Sequence, residues 1–552
     1  LLPIKEEHVV DLTGMPKAKM QSALKGRLGV PTKCHKPKIK IRYGAVEKMV
    51  VVPTIDIDKE ENPEYKHHQV YVLADDNSPD ENIPHMIEGQ IIGDPKNNSF
   101  TIAVTSHSPV DGDVFSYEFS NVKHNELKDA IWGNRTEVGE AATGMVADLR
   151  ENVLHKYGVD EMIIVELLSF FMPFGFSIGQ HYCHKVCPEV MILGDTRVGK
   201  STTAKDLAKH LGAGRYVDCG SNATFVGLVG GNADLGGKSA FTWGVIPTSH
   251  RGHLSLDEYN KLDLRTIGGL TNIKSSGVAE RTTNSGARKT AATVRFLTMC
   301  NPRTMNNNSK RIQAYASPLD AAIEVVGSPQ DLARVDLLYV AYGVKDIKVL
   351  NTMRESDVPH KYAQDVARYH LQWAWSLTAK KITFTNPRYV LDRSVEMVKE
   401  LGRMQLIAPA EAKFKLGRLA VAFATMVYSY DQATSGVTVK NDHVDLAYAF
   451  IVKLYSEYME NAGIKSGVLP KEIIELFETV SNPKMLRMLS TATVWLDGDF
   501  KELFGETGMQ KFKYEAQLNH NLMTRGHRGN FNPADGVRDL IDEYVRDKLE
   551  EN

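Results

Sequence analysis

The octapeptide Gly194-Asp195-Thr196-Arg197-Val198-Gly199-Lys200-Ser201 fits the pattern G-x-x-x-x-G-K-[ST], and no other stretch restricts the fold as strongly. It follows the apolar run Val190-Met191-Ile192-Leu193 and precedes a helix-forming stretch. Strand, glycine turn and helix N-terminus in succession make a phosphate cradle. Backbone amides close around the anion, the Lys200 ammonium reaches the β and γ oxygens, and the Ser201 hydroxyl ligates Mg²⁺. The expected ligands are therefore ATP and Mg²⁺, held by Gly194, Asp195, Thr196, Arg197, Val198, Gly199, Lys200, Ser201 and Thr202. A strand this apolar is buried on both faces, which predicts a parallel sheet covered by helices.

Hydrolysis asks for further groups at neighbouring strand ends, and these come in order. His253-Leu-Ser-Leu-Asp257-Glu258 is an apolar run ending in two acids. Asp257 is expected to hold Mg²⁺ through its water shell and Glu258 to polarise the attacking water. Val294 to Asn301 predicts another buried strand, with the Asn301 amide placed to orient water against the γ-phosphate. Arg334 precedes a further apolar run, Val335 to Val340. It has no evident phosphate to reach within one subunit, so its expected role is across a subunit interface, which implies a ring.

A chain of 552 residues is too long for one core. Charged residues at 24% and apolar ones at 42% exclude wholesale disorder, and a net charge of −2 makes any nucleic-acid surface a local one. Short β-like runs through residues 1–123 (38–42, 48–52, 68–72, 91–92, 99–104) predict a small OB-like β-barrel. Basic residues crowd the first of these runs, which suits either phosphate contact or an edge strand guarded by lysines. Residues 124–157 predict a polar helical linker, 158–350 the α/β core, 351–462 a helical lid, and 463–552 a winged-helix-like domain with a turn at Gly526-His-Arg-Gly529. The apolar stretch 162–179 contains Glu166 and Pro173 and reads as a buried helix, not a membrane span. The cysteines Cys34, Cys183, Cys187, Cys219 and Cys300 form no disulfide framework, and no charged-then-apolar leader opens the sequence, so the expected setting is the reducing cytoplasm. His181, Cys183, His184 and Cys187 are too cramped for a usual zinc site and read as a loop entering the core.

Taken in order, these residues resemble the MCM branch of AAA+ helicases. Leu256-Asp-Glu-Tyr-Asn-Lys-Leu262 is similar to that family's I-D-E-F-D-K-M, and Ala333-Arg-Val-Asp336 to its S-R-F-D. Gly214-Arg-Tyr-Val217 and Gly244-Val245 come in the family's order, and His155-Lys-Tyr157-Gly158 resembles its segment that holds the nucleotide base. The similarity spans about residues 155–345. It implies an AAA+ core, a homo-hexamer acting on DNA, base contacts at Tyr157 and Gly158, and a second arginine sensor among Lys413, Lys415 and Arg418, with Arg418 favoured. The standard G-K-S loop departs from the alanine-substituted form usual in cellular MCMs, and the N-terminal module lacks the paired Cys-x-x-Cys of the family's zinc site, so no structural zinc is expected there.

Residues 276–290 carry two extended halves around an Asn-Ser-Gly tip and predict a projecting hairpin. By resemblance it enters the ring channel, making Arg281, Arg288 and Lys289 DNA contacts; a solvated basic hairpin is the alternative. Residues 227–241 form a glycine-rich loop where the family inserts a second hairpin, with Lys238 a further DNA contact. The expected activity is ATP-driven DNA unwinding. An AAA+ protein remodeller of the chelatase type and a non-translocating replication initiator are the competing readings.

Overall fold

The computed structural model describes residues 19, 46–51, 68–73, 85–94, 99–109, 117–183, 186–220, 223–234, 239–283, 286–303, 311–312, 315, 317–342, 358–401, 404, 406–461, 469, 471–519, 522–525, 530–533 and 537–550. The chain divides into two compact units, residues 1–56 with 60–111, and residues 57–59 with 112–552.

In the first unit, strands Val46–Val51, His68–Leu73, Ser99–Pro109 and His85–Asp94 lie side by side in that order. The central pair is parallel and the outer pairs antiparallel. A bulge between Glu88 and Gly89 shifts the register, and a Cβ at Gly89 would lie 2.3 Å from the Ala103 carbonyl oxygen, so only glycine fits there. Val70, Val72 and Val104 form its small core. The expected run at 38–42 lies outside the described residues.

The second unit is mixed α/β around a five-stranded sheet. Its order is Leu337–Ala341, Glu189–Gly194, Arg295–Cys300, His253–Asp257 and Arg215–Asp218, with every pairing parallel. The three central strands are buried at every residue, as strands covered on both faces must be. The expected buried helix covers only the first part of the 162–179 stretch: helix Asp160–Phe171 packs behind the sheet and ends before Pro173, and Ser177–Ile178 is a short strand. Edge strand Leu337–Ala341 would expose amides, and helix Asn441–Asn461 satisfies them: the Leu338 and Val340 amides donate to the Tyr455 and Tyr458 hydroxyls at 3.1 and 2.8 Å.

Two expectations change. Residues 124–157 are helical, with helices Asn121–Ile131 and Val138–Leu149, but they are no polar linker. Leu127, Ile131, Ala141, Met145 and Leu149 join the hydrophobic cluster that contains the sheet, because their spacing gives each helix one apolar face. The segment expected as a helical lid has helices Gln364–Ser376, Pro387–Leu401, Ala412–Met426 and Asn441–Asn461, and also a small sheet of Ile382–Phe384, Gly436–Val439 and Tyr430–Asp431. These strands are too short for periodicity to reveal.

Residues 469–550 have their own hydrophobic cluster around Trp495, Phe500 and Phe512. Helices Lys471–Glu478, Arg487–Thr491, Asp497–Tyr514 and Val537–Glu550 surround an antiparallel pair, Met523–Arg525 with Phe531–Pro533. Asp497–Tyr514 breaks at Gly505, where φ is 69°, into two helices, and the expected Gly526–Gly529 turn lies outside the described residues. Among the described residues no helix is long and apolar enough to cross a membrane.

Candidate functional site

Parallel strands deliver their carboxyl ends to one edge of the sheet, and the candidate residues sit there. Cys300 pairs with Leu193 and Asp257 with Asp218, so Asn301, the 194–201 loop and the Asp257-Glu258 pair emerge together. Gly199, at φ 94°, makes the turn into helix Lys200–Leu211, a left-handed conformation that glycine adopts without steric cost. Gly194 is crowded: a Cβ would lie 2.9 Å from that of Ala341. Thr196 and Arg197 are exposed on the outside of the loop, and the Thr202 hydroxyl donates to the Gly199 carbonyl at 3.0 Å.

One hydrogen-bonded chain links the principal groups. The Lys200 ammonium, 6% exposed, donates to the Gly194 and Asp195 carbonyls and to Asn301 Oδ1, each at 2.9 Å. Asn301 Nδ2 in turn donates to Glu258 Oε1 at 2.9 Å. Burial lowers the Lys200 pKa from its ordinary value, while Cys300, Asp257, Glu258 and Asp195 pull it the other way. Glu258 adopts φ 51°, a conformation costing a side-chain-bearing residue about 1–2 kcal/mol. Its amide donates to Asp257 Oδ1 at 2.8 Å.

Two contributors were not singled out by sequence reading. Asn260 accepts from the Asn301 amide at 3.1 Å, and Tyr216 donates its hydroxyl to Asp257 Oδ2. Both depend on which strands are neighbours, and no local spacing signals that. Lys156 pairs with Asp206 of the Lys200–Leu211 helix at 2.9 Å, mooring the segment that carries Tyr157 and Gly158 to the flank of that helix. The Tyr157 hydroxyl donates to Glu151 Oε2 at 2.9 Å.

The set of Ser201 hydroxyl and Asp257 carboxylate is all oxygen and carries one charge, a fit for Mg²⁺, which retains water and takes further ligands from phosphate. Among the described residues, no three His, Cys, Asp or Glu side chains cluster as a metal cage. Cys183 Sγ accepts from Arg418 at 2.9 Å and Cys187 Sγ lies 3.5 Å from the Ala292 carbonyl, so the two thiols face different partners. His184 lies outside the described residues.

The structure separates the arginines from this edge. Leu337 pairs with Val190 and Ala341 with Gly194, so Arg334, which precedes Leu337, lies beyond the far end of a strand that itself spans about 13 Å to the 194–201 loop. Its side chain is 54% exposed and lies 3.8 Å from Asp331. Arg418, expected as a cofactor-binding sensor, is also at the far end and is buried. It is 1% exposed, pairs with Asp336 at 3.3 Å and donates to the Pro173 carbonyl at 3.0 Å. Of its rivals, Lys415 is buried against the Val335 and Leu406 carbonyls, and Lys413 lies over the Phe414 ring. A cavity of about 450 Å³ opens at this end, lined by Lys274, Arg334, Asp336, Lys415 and Arg418.

Strands Val278–Thr283 and Gly286–Ala291 pair antiparallel, as the hairpin reading required. Arg281 lies opposite Arg288, and Lys289 forms an exposed ion pair with Glu280 at 3.2 Å. The Arg281 guanidinium stacks over Phe225 and that of Arg288 over Phe241, at 4.9 and 5.1 Å from the ring centres. Phe241 belongs to the second hairpin, Gly230–Asp234 with Ser239–Trp243, so the two hairpins stand side by side. Lys238 lies outside the described residues.

Neither a protein-family model nor a curated protein matches this chain.

Proposed function

We propose that the chain is an ATP-dependent DNA helicase of the MCM type, an AAA+ motor working as a homo-hexameric ring with ATP sites between subunits. The observation that carries this reading is the Lys200–Asn301–Glu258 chain beside Asp257, on adjacent strand ends of a sheet whose sequence order is fifth, first, fourth, third, second. In it, the loop amides and Lys200 bind the triphosphate. Ser201 and, through water, Asp257 would hold Mg²⁺, which would supply positive charge against the phosphates. Glu258 accepts a proton from the attacking water, and Asn301 orients that water and senses the γ-phosphate.

The position of Arg334 supports shared sites. An exposed guanidinium a sheet's length from its own phosphate loop can serve a neighbour's. The paired hairpins supply Arg281, Arg288 and Lys289 for sequence-independent phosphate contact along a single strand. The N-terminal sheet is read as part of an OB-like module and residues 463–552 as a winged-helix domain.

Strand displacement on a forked duplex tests the proposal. Wild-type chain with ATP and Mg²⁺ unwinds the fork; Glu258→Gln binds ATP and DNA but does not unwind. Arg334→Ala homo-oligomers lose hydrolysis, and doping them into wild-type rings inhibits more than in proportion. A chain that hydrolyses ATP without any response to DNA would favour a protein remodeller.

A further inference from the structure

Tyr216 lies on strand Arg215–Asp218, between the phosphate-loop helix and the strand that ends in the acidic pair. Its hydroxyl donates to Asp257 Oδ2. Its ring lies under the Lys205 ammonium at 4.3 Å, and Lys205 is on the same helix as Ser201. The other Asp257 oxygen is already engaged by the Glu258 amide at 2.8 Å. Each Asp257 oxygen therefore has its own donor, and the phenol holds the carboxylate that the proposed function assigns to Mg²⁺.

We infer that Tyr216 is a positioning residue for Mg²⁺: its hydroxyl holds the Asp257 carboxylate in its orientation before the metal arrives. This rests on the nucleotide-binding part of the reading above and goes beyond it. A phenol can do this because it donates a hydrogen bond to the carboxylate without neutralising its charge. Outer donors of this kind are worth 10- to 100-fold in metal affinity in well-studied sites. Lys205 over the ring face fixes the ring plane, and with it the direction of the hydroxyl.

The test is Tyr216→Phe in the full chain, read by binding of a fluorescent ADP analogue during titration with MgCl₂. The substitution keeps the ring beneath Lys205. The Mg²⁺ concentration for half-saturation is expected to rise about ten-fold, while nucleotide affinity in EDTA stays within about two-fold and thermal unfolding is unchanged. In an Asp257→Asn background the same substitution should add nothing, because the phenol acts through that carboxylate. An unaltered Mg²⁺ dependence overturns the inference. So does a parallel fall of EDTA affinity and melting temperature, which would make Tyr216 only a packing residue. If the wild-type chain binds no nucleotide with or without Mg²⁺, the nucleotide reading itself fails; if it binds and Tyr216→Phe matches it, only the positioning role does.

Discussion

Arg418→Met separates a structural arginine from a catalytic one. The Arg418 and Asp336 side chains are 1% and 2% exposed, so their ion pair is fully withdrawn from water. Arg418 also supplies donors to the Pro173 carbonyl and Cys183 Sγ, holding the chain after helix Asp160–Phe171 to helix Ala412–Met426. Methionine keeps much of the apolar stem but leaves the Asp336 carboxylate without its cation. Removing one partner of a buried pair costs about 3–5 kcal/mol. Adding Asp336→Leu should recover part of that loss. Recovery stays incomplete because Asp336 Oδ2 also accepts from the Glu189 amide at 2.8 Å, and an abandoned buried amide costs about 1–3 kcal/mol. Urea unfolding followed by fluorescence of buried Trp373 and Trp375 reads these changes, with nucleotide binding measured on the folded protein at low temperature. The reasoning is refuted if Arg418→Met unfolds within about 0.5 kcal/mol of wild type, the range of a surface substitution, and yet abolishes ATP hydrolysis. That outcome would restore Arg418 as a sensor.

Asn301→Ala should leave ATP binding near wild type and reduce turnover by about 10²- to 10³-fold, the cost of losing a positioned polar group at a reacting centre; single-turnover hydrolysis checks it. Arg281→Ala with Arg288→Ala should weaken binding to single-stranded DNA of any sequence and lower the slope of log affinity against log salt by about 1 to 2, measured by anisotropy at several salt concentrations. Tyr458→Phe removes the acceptor for the Val340 amide and should destabilise by about 1–3 kcal/mol in the same urea assay. Buried His370, its Nδ1 2.8 Å from the Tyr362 hydroxyl and its Nε2 2.8 Å from the Thr425 carbonyl, has its pKa lowered by burial to about 3. The unfolded chain takes up this proton below about pH 6.5 and the folded chain does not, so the stabilisation present above pH 6.5 falls by about 1.4 kcal/mol per unit as pH drops toward 3. His370→Asn should flatten that slope between pH 6.5 and 5; an unchanged slope would assign the acid sensitivity elsewhere.

The legible parts of the site were those written in consecutive residues. Gly194 to Ser201, Asp257-Glu258 and Asn301 each end or follow an apolar run, so buried strands and their polar ends could be read directly, and the sheet brings them to one edge. The 278–291 hairpin was legible for the same reason, two extended halves about a turn. The short strands of the expected lid carried too few residues for a period, and the 124–157 helices hid an apolar face behind a polar average.

What the sequence alone determined is the set of local conformations, because steric preference, hydrophobic period and turn chemistry act over a few neighbouring residues. Which charges are neutralised, and by whom, was decided only in three dimensions. Arg418 meets Asp336, Tyr216 meets Asp257, and Tyr455 and Tyr458 close the edge of Leu337–Ala341, across separations of 82, 41, 117 and 118 residues. A buried polar atom must find a partner wherever packing puts one. That choice follows from strand order and register, which the chain settles only when its apolar faces assemble.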